Sequence, residues 1–196
     1  MGLGKENKDI LLVIDMQNVY LPGQEWACPT MLEAAAVIQK LMGNCGFESI
    51  LFTKYTAAEA PVGAWKQYNE VNEKINQDIW LNEIIDELKP YLEKGKVVEK
   101  SVYSSMKIPE IVEAVKNADH VVLTGVVAEC CVLATMLEAI DLGCSVIYLE
   151  DGISGQSKEK EEQIKMLAES FAPVHVQVQT YEEYCKMRSE DKTAEM

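Results

Sequence analysis

The chain has 196 residues, of which 48% are hydrophobic, and its formal net charge at pH 7 is -14. This length and apolar content suffice for one domain with a sizeable core. A strongly acidic chain is repelled by nucleic acids and by anionic membranes, so we expect a small-molecule partner and neither of those two. The polar opening residues and the lack of a long apolar run predict a cytoplasmic protein without a signal peptide.

The six cysteines are scattered along the sequence, with no CxxC pair and with two of them adjacent at Cys130 and Cys131. This pattern favours neither a disulfide framework nor a zinc cage. A thiol outside such frameworks is either a small buried apolar group or a reactive group. At least one of the six is therefore a candidate for chemistry.

Short apolar runs recur along the chain and predict six strands. Most of the runs lack polar alternation, which is typical of strands buried on both faces of a parallel sheet, whereas the last alternates like an edge strand. Helical patterns separate most of the runs, and this alternation predicts a single-domain, three-layer α/β/α fold with a mostly parallel, Rossmann-like sheet. The runs lie at residues 10–14, 50–52, 97–98, 120–123, 145–149 and 174–178.

The predicted helices show apolar stripes at helical spacing. Thr30 and Glu33 have the spacing of a capping box at the start of the first helix, and Gly43 is placed to end it. Pro109 suits the first turn of a later helix. The stripes are Met31, Ala35, Ile38 and Met42; Ile111, Val112 and Val115; Val132, Met136 and Ala139; and Ile164, Leu167 and Phe171.

Both ends of the chain are expected to lie outside the domain. Residues 1–9 are predicted to form an N-terminal tail and residues 10–188 the domain, which closes with a helix that Thr180 and Glu183 cap. Residues 189–196 are charged and lack apolar anchors, so we expect a flexible C-terminal tail.

One internal segment, residues 57–82, is polar and less periodic, with Trp65, Tyr68 and Trp80 interspersed. It could form a lid, an oligomer contact or an ordinary surface helix, and the sequence leaves these alternatives open. We also expect the protein to be a homo-oligomer, either a dimer or a tetramer.

Polar residues follow two of the apolar runs at the carboxyl edge of the sheet, where open α/β sheets bind their ligands. Asp15 follows the first run, and Lys100 follows the third. A carboxylate there can take a proton from a thiol and pass it to a leaving nitrogen, and an ammonium beside it can stabilise a thiolate. Taken singly, Asp15 is better explained as a turn cap and Lys100 as a surface lysine.

The nucleophile candidate follows the fourth run, where Cys131 is placed to begin a helix. A helix N-terminus lowers the pKa of a thiol, which favours the nucleophilic thiolate. The neighbouring Cys130 is expected to point elsewhere and to keep a pKa raised by apolar burial. The alternative for any free cysteine is structural burial, which suits Cys45, Cys144 and Cys130 better than Cys131.

Three segments together resemble the signatures of the isochorismatase-like cysteine hydrolases. They are LLVIDMQN at residues 11–18, VVEK at residues 97–100 with Tyr103 and Ser104, and GVVAECCVLAT at residues 125–135. The third segment is the most specific. The resemblance implies the isochorismatase-like hydrolase fold and a hydrolase that cleaves a C–N bond of a small amide, carbamoyl or ureido compound through a thioester.

The resemblance also implies a role for each candidate residue. Cys131 would be the nucleophile, Asp15 the proton shuttle and Lys100 the stabiliser of the thiolate. The backbone N–H groups of Val127 and Cys131 would form an oxyanion hole, after a cis peptide bond between Val126 and Val127.

Substrate specificity is expected to come from more variable positions near these residues. Asn18, Trp65 and Tyr103 are the candidates for substrate binding.

One departure from the family concerns metal binding. Its nicotinamidases carry a metal-binding cluster of Asp and His after the second strand, whereas residues 53–58 here read TKYTAA. The two histidines of the chain, His120 and His175, fall inside predicted strands away from the carboxyl edge, where a packing role is expected. We therefore expect no metal and no cofactor, which argues against nicotinamidase activity.

Two alternatives to an amide-cleaving enzyme stay open. True isochorismatases cleave a vinyl ether on this fold without needing the cysteine, so the presence of Cys131 favours acyl transfer. A catalytically silent binding member of the family is the second alternative. A nucleotide-binding domain is disfavoured, because the first strand leads into residues 15–20 without a glycine-rich turn.

Overall fold

The computed structural model describes residues 8–194, and side chains are described through residue 190. Residues 1–7 of the expected N-terminal tail and residues 195–196 of the expected C-terminal tail lie outside the described residues. No helix in the described part of the chain is long and apolar enough to cross a membrane.

A six-stranded sheet organises the molecule, and every pairing in it is parallel. The strand order is β3-β2-β1-β4-β5-β6, with the two fully buried strands at the centre and the alternating strand at one edge. This confirms the predicted strands and their parallel arrangement. The strands are β1 Ile10–Ile14, β2 Ser49–Tyr55, β3 Lys96–Lys100, β4 Val121–Val126, β5 Val146–Ser154 and β6 Val176–Gln179.

Helices cover both faces of this sheet, as the predicted three-layer fold requires. They are α1 Met31–Asn44, α2 Ala64–Val71, α3 Glu73–Gln77, α4 Pro109–Val115, α5 Leu133–Asp141, α6 Lys158–Glu169 and α7 Tyr181–Ala194. Successive residues of β1 point to opposite faces, so that Leu11 and Val13 pack into one apolar group and Leu12 into the other. Helices α1 and α7 contribute to the first group, and α4, α5 and α6 contribute to the second.

The first helix begins at Met31, as predicted, but Thr30 and Gly43 do not act as the predicted start and stop signals. The Thr30 side chain does not cap α1, because its hydroxyl group is engaged with the side chains of Ser154 and Glu161. Gly43 lies inside α1, which continues to Asn44. Contacts with α6, which no local pattern reveals, thus replace the local cap.

The later helices follow their predicted patterns with two exceptions. Thr180 and Glu183 form the expected capping box, since the Thr180 N–H donates to the Glu183 carboxylate and the Glu183 N–H donates to the Thr180 hydroxyl. The expected boundary at residue 189 falls inside α7, which continues to residue 194. In α6, Leu167 is partly exposed, and Ala168 rather than Leu167 packs in the core beside Ile164.

A buried carboxylate holds α7 to the amino edge of the sheet. The Tyr184 hydroxyl donates to Asp9 Oδ2 over 2.8 Å, and His120 Nδ1 lies 2.9 Å from Asp9 Oδ1. The Arg188 guanidinium lies 3.7 Å from the same carboxylate. His120 directly precedes β4, and His175 directly precedes β6, so neither lies within its strand as the sequence predicted.

Replacing Asp9 by asparagine should lower the free energy of unfolding by about 1–3 kcal/mol at pH 7, because a buried charged acceptor is lost. Burial alone would raise the pKa of Asp9, but the hydrogen bonds with His120 and Tyr184 outweigh it and lower the pKa from its ordinary value of 3.8. Such a carboxylate stabilises the fold above its unfolded pKa, and this stabilisation is lost as the pH falls through the lower folded value. Urea unfolding at pH 7 and below pH 4 measures both effects.

The control for this prediction is Asp86→Asn, since Asp86 is a largely exposed aspartate. The Asp9→Asn variant should also lose less stability than the unaltered protein between pH 4 and pH 3. Equal unfolding energies of the two variants at pH 7 would contradict the anchoring role of Asp9.

Candidate active site

Three side chains meet at the carboxyl edge of the sheet although their strands are not all neighbours. Asp15 directly follows β1, Lys100 is the last residue of β3, and Cys131 lies in the turn after β4. Strand β2 separates β3 from β1, a span of about 10 Å between the outer two strands. The long side chain of Lys100 bridges that span above the end of β2.

The Lys100 ammonium connects the other two groups. Its Nζ lies 2.6 Å from Asp15 Oδ2 and donates to Cys131 Sγ over 3.3 Å and to the Val102 carbonyl over 3.0 Å. The ammonium therefore makes one ion pair, with Asp15, and two hydrogen bonds, with Cys131 and Val102. Asp15 is 0% exposed, and Lys100 and Cys131 are each 3% exposed, so the cluster is shielded from water.

Thr53, at the same edge of the sheet, orients the Asp15 carboxylate. Its hydroxyl group donates to Asp15 Oδ1 over 2.6 Å, while its carbonyl accepts from the Asp15 backbone N–H over 3.2 Å. Asp15 itself has a φ of 48°, a left-handed conformation that few residues other than glycine adopt. Backbone strain at functional positions is often maintained by the surrounding structure, and the contacts with Thr53 supply part of that support here.

The charges of the cluster determine where the thiol proton resides. Burial raises the pKa of Cys131 well above its ordinary value, and the Asp15 carboxylate raises it further, while Lys100 acts in the opposite sense. Burial alone would lower the pKa of Lys100, but Asp15 and Cys131 outweigh it and raise that pKa. The expected lowering of the Cys131 pKa by a helix N-terminus is therefore wrong for the resting protein.

The raised pKa of Cys131 follows from the net charge of the buried cluster. An ammonium, a carboxylate and a neutral thiol sum to zero, whereas a thiolate beside an ionised carboxylate would leave a net negative charge away from water. Transfer of the proton from Cys131 to Asp15 keeps the sum at zero. The arrangement therefore favours formation of the thiolate by transfer to Asp15 over its formation by loss of the proton to solvent.

The turn that carries Cys131 begins earlier than predicted. A π-helical turn covers residues Ala128–Val132, and α5 follows it, so Cys131 lies within the turn and not at the first position of a helix. Cys131 packs with the apolar group under α5, whereas Cys130 packs against the group on the opposite face of the sheet. Burial raises the pKa of Cys130, in line with the expectation for that residue.

The backbone before Cys131 is tightly organised. The peptide bond between Val126 and Val127 is cis, as the resemblance implied. The Val127 carbonyl accepts from the N–H groups of both Cys130 and Val132, over 3.0 Å and 3.2 Å. Thr135 also donates its hydroxyl to the Cys131 carbonyl over 2.6 Å. These contacts fix the path of the chain around the nucleophile candidate.

Gly125 allows β4 to approach β1 directly beside the cluster. Its φ is +100°, and a Cβ atom at this position would lie 2.1 Å from the Ile14 carbonyl oxygen. Since Ile14 immediately precedes Asp15, any side chain at residue 125 would displace the end of β1. The glycine is thus part of what places Asp15 near Cys131.

The three residues predicted to bind substrate have different surroundings. The buried Asn18 amide donates to the Trp80 carbonyl over 2.8 Å, so it holds the segment before β3 in place. Trp65 and Tyr103 instead contact each other, with ring centroids 5.0 Å apart, and together with Tyr68 they line an open cavity of about 620 Å³. The buried ring of Tyr55 lies between the cavity and the cluster, 6.5 Å from Trp65 and 5.9 Å from the Lys100 ammonium.

Sequence reasoning missed several residues that organise the site. Besides Thr53, the Gln17 amide donates to the Tyr55 carbonyl over 3.0 Å, and its oxygen accepts from the Tyr55 N–H over 2.8 Å. Thr53 could have been found as a polar residue near the carboxyl end of an apolar run. Tyr68 could have been found from its position three residues after Trp65.

The described residues do not fit a metal site. Within residues 8–190, whose side chains are described, no three or more His, Cys, Asp or Glu side chains are grouped so that they could hold a metal ion. After β2, where the metal site of the nicotinamidases is expected, residues 56–58 supply a threonine and two alanines. These side chains are poor ligands for zinc or iron, so we assign no step of the chemistry to a metal.

Known proteins share this fold and part of this sequence. A curated relative, the isochorismatase of Bacillus subtilis strain 168, is 25% identical over 160 residues, which are 80% of this chain and 51% of the relative. The chain therefore spans about half the length of that relative.

Two solved structures share the fold at lower identity. The cysteine hydrolase from Pseudomonas syringae pv. phaseolicola has a TM-score of 0.75 at 16% identity and covers 94% of this chain and 93% of its own. The N-carbamoylsarcosine amidase from Thermoplasma acidophilum has a TM-score of 0.65 at 21% identity, over 90% and 98% of the two chains. The family model of the isochorismatase domain matches residues 9–177, and the chain therefore belongs to the isochorismatase family.

Proposed function

We propose that the protein is a cysteine hydrolase that cleaves a C–N bond of a small amide, carbamoyl or ureido compound through a thioester. The observation that carries the proposal is the buried contact of Lys100 with both Asp15 and Cys131. The cysteine hydrolase and the N-carbamoylsarcosine amidase among the structural relatives support the same reaction class.

In the first half of the proposed reaction, Asp15 accepts the thiol proton as Cys131 Sγ bonds to the carbonyl carbon. The carbonyl oxygen becomes an oxyanion, for which we propose the backbone N–H groups of Val127 and Cys131 as donors. The N–H groups of Cys130 and Val132 are engaged with the Val127 carbonyl, which supports this choice of donors. Asp15 then gives its proton to the leaving nitrogen, the C–N bond breaks and a thioester remains.

In the second half, a water molecule attacks the thioester while Asp15 accepts a proton from it. The C–S bond breaks, the acid or carbamic product leaves, and the proton on Asp15 returns to the Cys131 sulfur. Lys100 keeps its proton throughout and offsets the negative charge, which moves between the carboxylate and the sulfur. Its contacts with Asp15 and Cys131 place the ammonium charge beside the carboxylate and beside the thiolate.

A panel of small amides, carbamoyl compounds and ureido compounds tests the proposal, with ammonia release as the readout. Mass spectrometry of the protein during turnover should detect an acyl group on Cys131. Activity that produces no such adduct and survives Cys131→Ala would contradict the thioester route.

A second candidate reaction is cleavage of a vinyl ether, which the curated isochorismatase relative favours. It releases an enol that becomes a ketone and liberates no ammonia. Cleavage of isochorismate by the Cys131→Ala variant at the rate of the unaltered protein would support this candidate over acyl transfer.

Chelation should leave the proposed activity unchanged, because the described side chains offer no metal-binding group near the cluster. The measurement is the rate of ammonia release before and after prolonged incubation with EDTA, followed by gel filtration. Loss of activity that zinc or iron restores would contradict this prediction.

We further propose that the protein assembles as a homodimer or homotetramer in the cytoplasm. Exposed apolar side chains on the segment of residues 57–82, Val62, Val71, Ile79 and Trp80, support the assembly. The scattered cysteines, without a CxxC pair, support a reducing compartment. Sedimentation equilibrium measures the assembly, and a monomer at micromolar concentration would contradict it.

A further inference from the structure

We propose that the substrate is uncharged and carries a flat, apolar group, such as an aromatic ring, that occupies the cavity beside Tyr103. This inference rests on the proposed cysteine chemistry and names the class of compound on which it acts. It also disfavours substrates that carry a carboxylate.

The cavity presents aromatic faces and neutral amides. Trp65, Tyr68 and Tyr103 supply the rings, and Gln67 and Asn72 supply the amides. Its volume of about 620 Å³ is ample for one substituted ring. Aromatic rings in mutual contact at 5.0 Å to 6.4 Å offer edges and faces against which a further ring can pack.

Helix α2 segregates its charges away from this cavity. Its residues Ala64, Trp65, Tyr68 and Val71 recur at helical spacing and line the cavity. Its charged residues Lys66 and Glu70 line a separate depression on the other side of the helix. A carboxylate in the cavity would therefore meet no cation from α2.

Lys100 does not serve as that cation either. Its ammonium already contacts Asp15, Cys131 and the Val102 carbonyl, and the Asp15 carboxylate balances its charge. A carboxylate in the cavity would lose part of its water without gaining an ionic partner, which is unfavourable. The net charge of -14 on the chain opposes the approach of anions as well.

The cavity lies close enough to the cluster to receive part of the substrate. The Tyr103 ring contacts Trp65, which contacts Tyr55, and the Tyr55 ring lies 5.9 Å from the Lys100 ammonium. Burial and the nearby sulfur atoms of Cys130 and Cys131 raise the pKa of Tyr103. We propose that the substituent of a carbonyl reacting at Cys131 extends past Tyr55 toward these rings.

Alkylation of Cys131 tests this selectivity without requiring turnover. The reagents are iodoacetamide, N-phenyl iodoacetamide and N-(4-carboxyphenyl) iodoacetamide, each normalised to its rate with glutathione, and labelling is mapped to Cys131 by peptide mass spectrometry. Burial of a ring should make the phenyl reagent at least about 10-fold faster than iodoacetamide. The carboxyphenyl reagent should be at least about 10-fold slower than the phenyl reagent.

Two kinds of variant connect the selectivity to the cavity. Trp65→Ala and Tyr103→Ala should each lower the ratio of the phenyl-reagent rate to the iodoacetamide rate at Cys131 toward the ratio measured with glutathione. Gln67→Arg should raise the rate of the carboxyphenyl reagent, because it adds a cation to the cavity wall.

A carboxyphenyl rate equal to the phenyl rate, or no preference for the phenyl reagent, would overturn the proposed substrate class. If no reagent labels Cys131, the proposed cysteine chemistry fails, and the substrate class is then decided by calorimetry with benzamide and 4-carboxybenzamide. Tighter binding of benzamide than of 4-carboxybenzamide would support the proposed substrate class. Equal or weaker binding of benzamide would overturn it.

Cys45 and Cys185 lie far apart in sequence but meet where α1 and α7 pack together. Their sulfur atoms are 3.5 Å apart, and both side chains are only partly buried. Cys45 directly follows α1, and Cys185 lies in α7. Contacts beside the pair hold the two helices together: the Asn44 amide donates to the Tyr181 hydroxyl over 2.9 Å.

From this arrangement we infer that Cys45 and Cys185 form a disulfide when the protein meets a disulfide oxidant such as oxidised glutathione. A Cys45 or Cys185 thiolate attacks the glutathione disulfide and releases one reduced glutathione. The second thiolate then attacks the mixed disulfide, forms the protein S–S bond and releases the second glutathione. Two thiols are oxidised, one disulfide is reduced to two thiols, and the two protons pass to the released glutathiones.

The test uses the Cys131→Ala protein, so that the candidate nucleophile does not compete. After incubation with oxidised glutathione, the mass should fall by about 2 Da, and a peptide pair joining Cys45 and Cys185 should appear. Cys45→Ser and Cys185→Ser should each abolish the pair, whereas Cys144→Ser should retain it. Stable glutathione adducts at Cys45 and Cys185 without a cross-link would overturn the inference.

Discussion

Replacing Cys131 by alanine should reduce kcat/KM for ammonia release by at least about 1,000-fold, because the thioester can no longer form. Asp15→Asn should produce a loss of similar size, because the amide cannot accept the thiol proton. Lys100→Met should also inactivate the protein, since the negative charge that moves between carboxylate and sulfur would lack its buried partner. Steady-state ammonia release on the best amide of the panel measures all three effects.

The matched control is Cys130→Ala, because Cys130 is adjacent in sequence but packs on the opposite face of the sheet. It should retain activity within about threefold, the range of a small packing change. Alkylation at neutral pH in the presence of a slowly cleaved amide should show stronger protection at Cys131 than at Cys130. Activity that survives Cys131→Ala, or protection confined to Cys130, would refute the assignment of the nucleophile.

Replacing Gly125 by alanine should have the largest effect on stability, at least about 3 kcal/mol in the free energy of unfolding. The added Cβ would lie 2.1 Å from the Ile14 carbonyl oxygen, and backbone atoms of a central strand cannot move aside cheaply. Because the residue after Ile14 is Asp15, the folded fraction of this variant should also be inactive. Urea denaturation and ammonia release measure the two effects.

Gly143→Ala separates the steric effect from the conformational effect. Gly143 also has a positive φ, +83°, but a Cβ atom there would meet nothing within 4 Å. Its replacement should therefore cost only about 1–2 kcal/mol, the penalty for a left-handed alanine. Equal losses in the two variants would show that close approach of β4 to β1 is not what requires glycine at residue 125.

The sheet and the meeting of the three candidate side chains could be predicted because each depends on a local pattern. Apolar runs identify buried strands, and parallel strands bring their carboxyl ends to one edge, so Asp15 and Lys100 were expected together. The protonation of Cys131 could not be predicted in this way, because it depends on burial and on a carboxylate 116 positions earlier in the sequence. A helix terminus alone suggested the opposite direction for its pKa.

Contacts between distant segments also explain why the predicted cap of α1 does not form. Thr30 has the spacing of a cap, but its hydroxyl group binds Glu161, which lies 131 positions later. The role of Gln17 was missed for the same reason, since its partners are backbone atoms of Tyr55. A polar side chain that binds distant backbone has no signature in the spacing of its neighbours.

Helix α2 forms a wall of the cavity, yet it contributes no fully buried side chain. Substitutions on a helix that is not part of the packed core have small effects on folding stability. The ring-bearing face of α2 can therefore change during evolution while Asp15, Lys100 and Cys131 stay in place on the sheet. Proteins related to this chain would therefore differ in the substrates they bind before they differ in the reaction they catalyse.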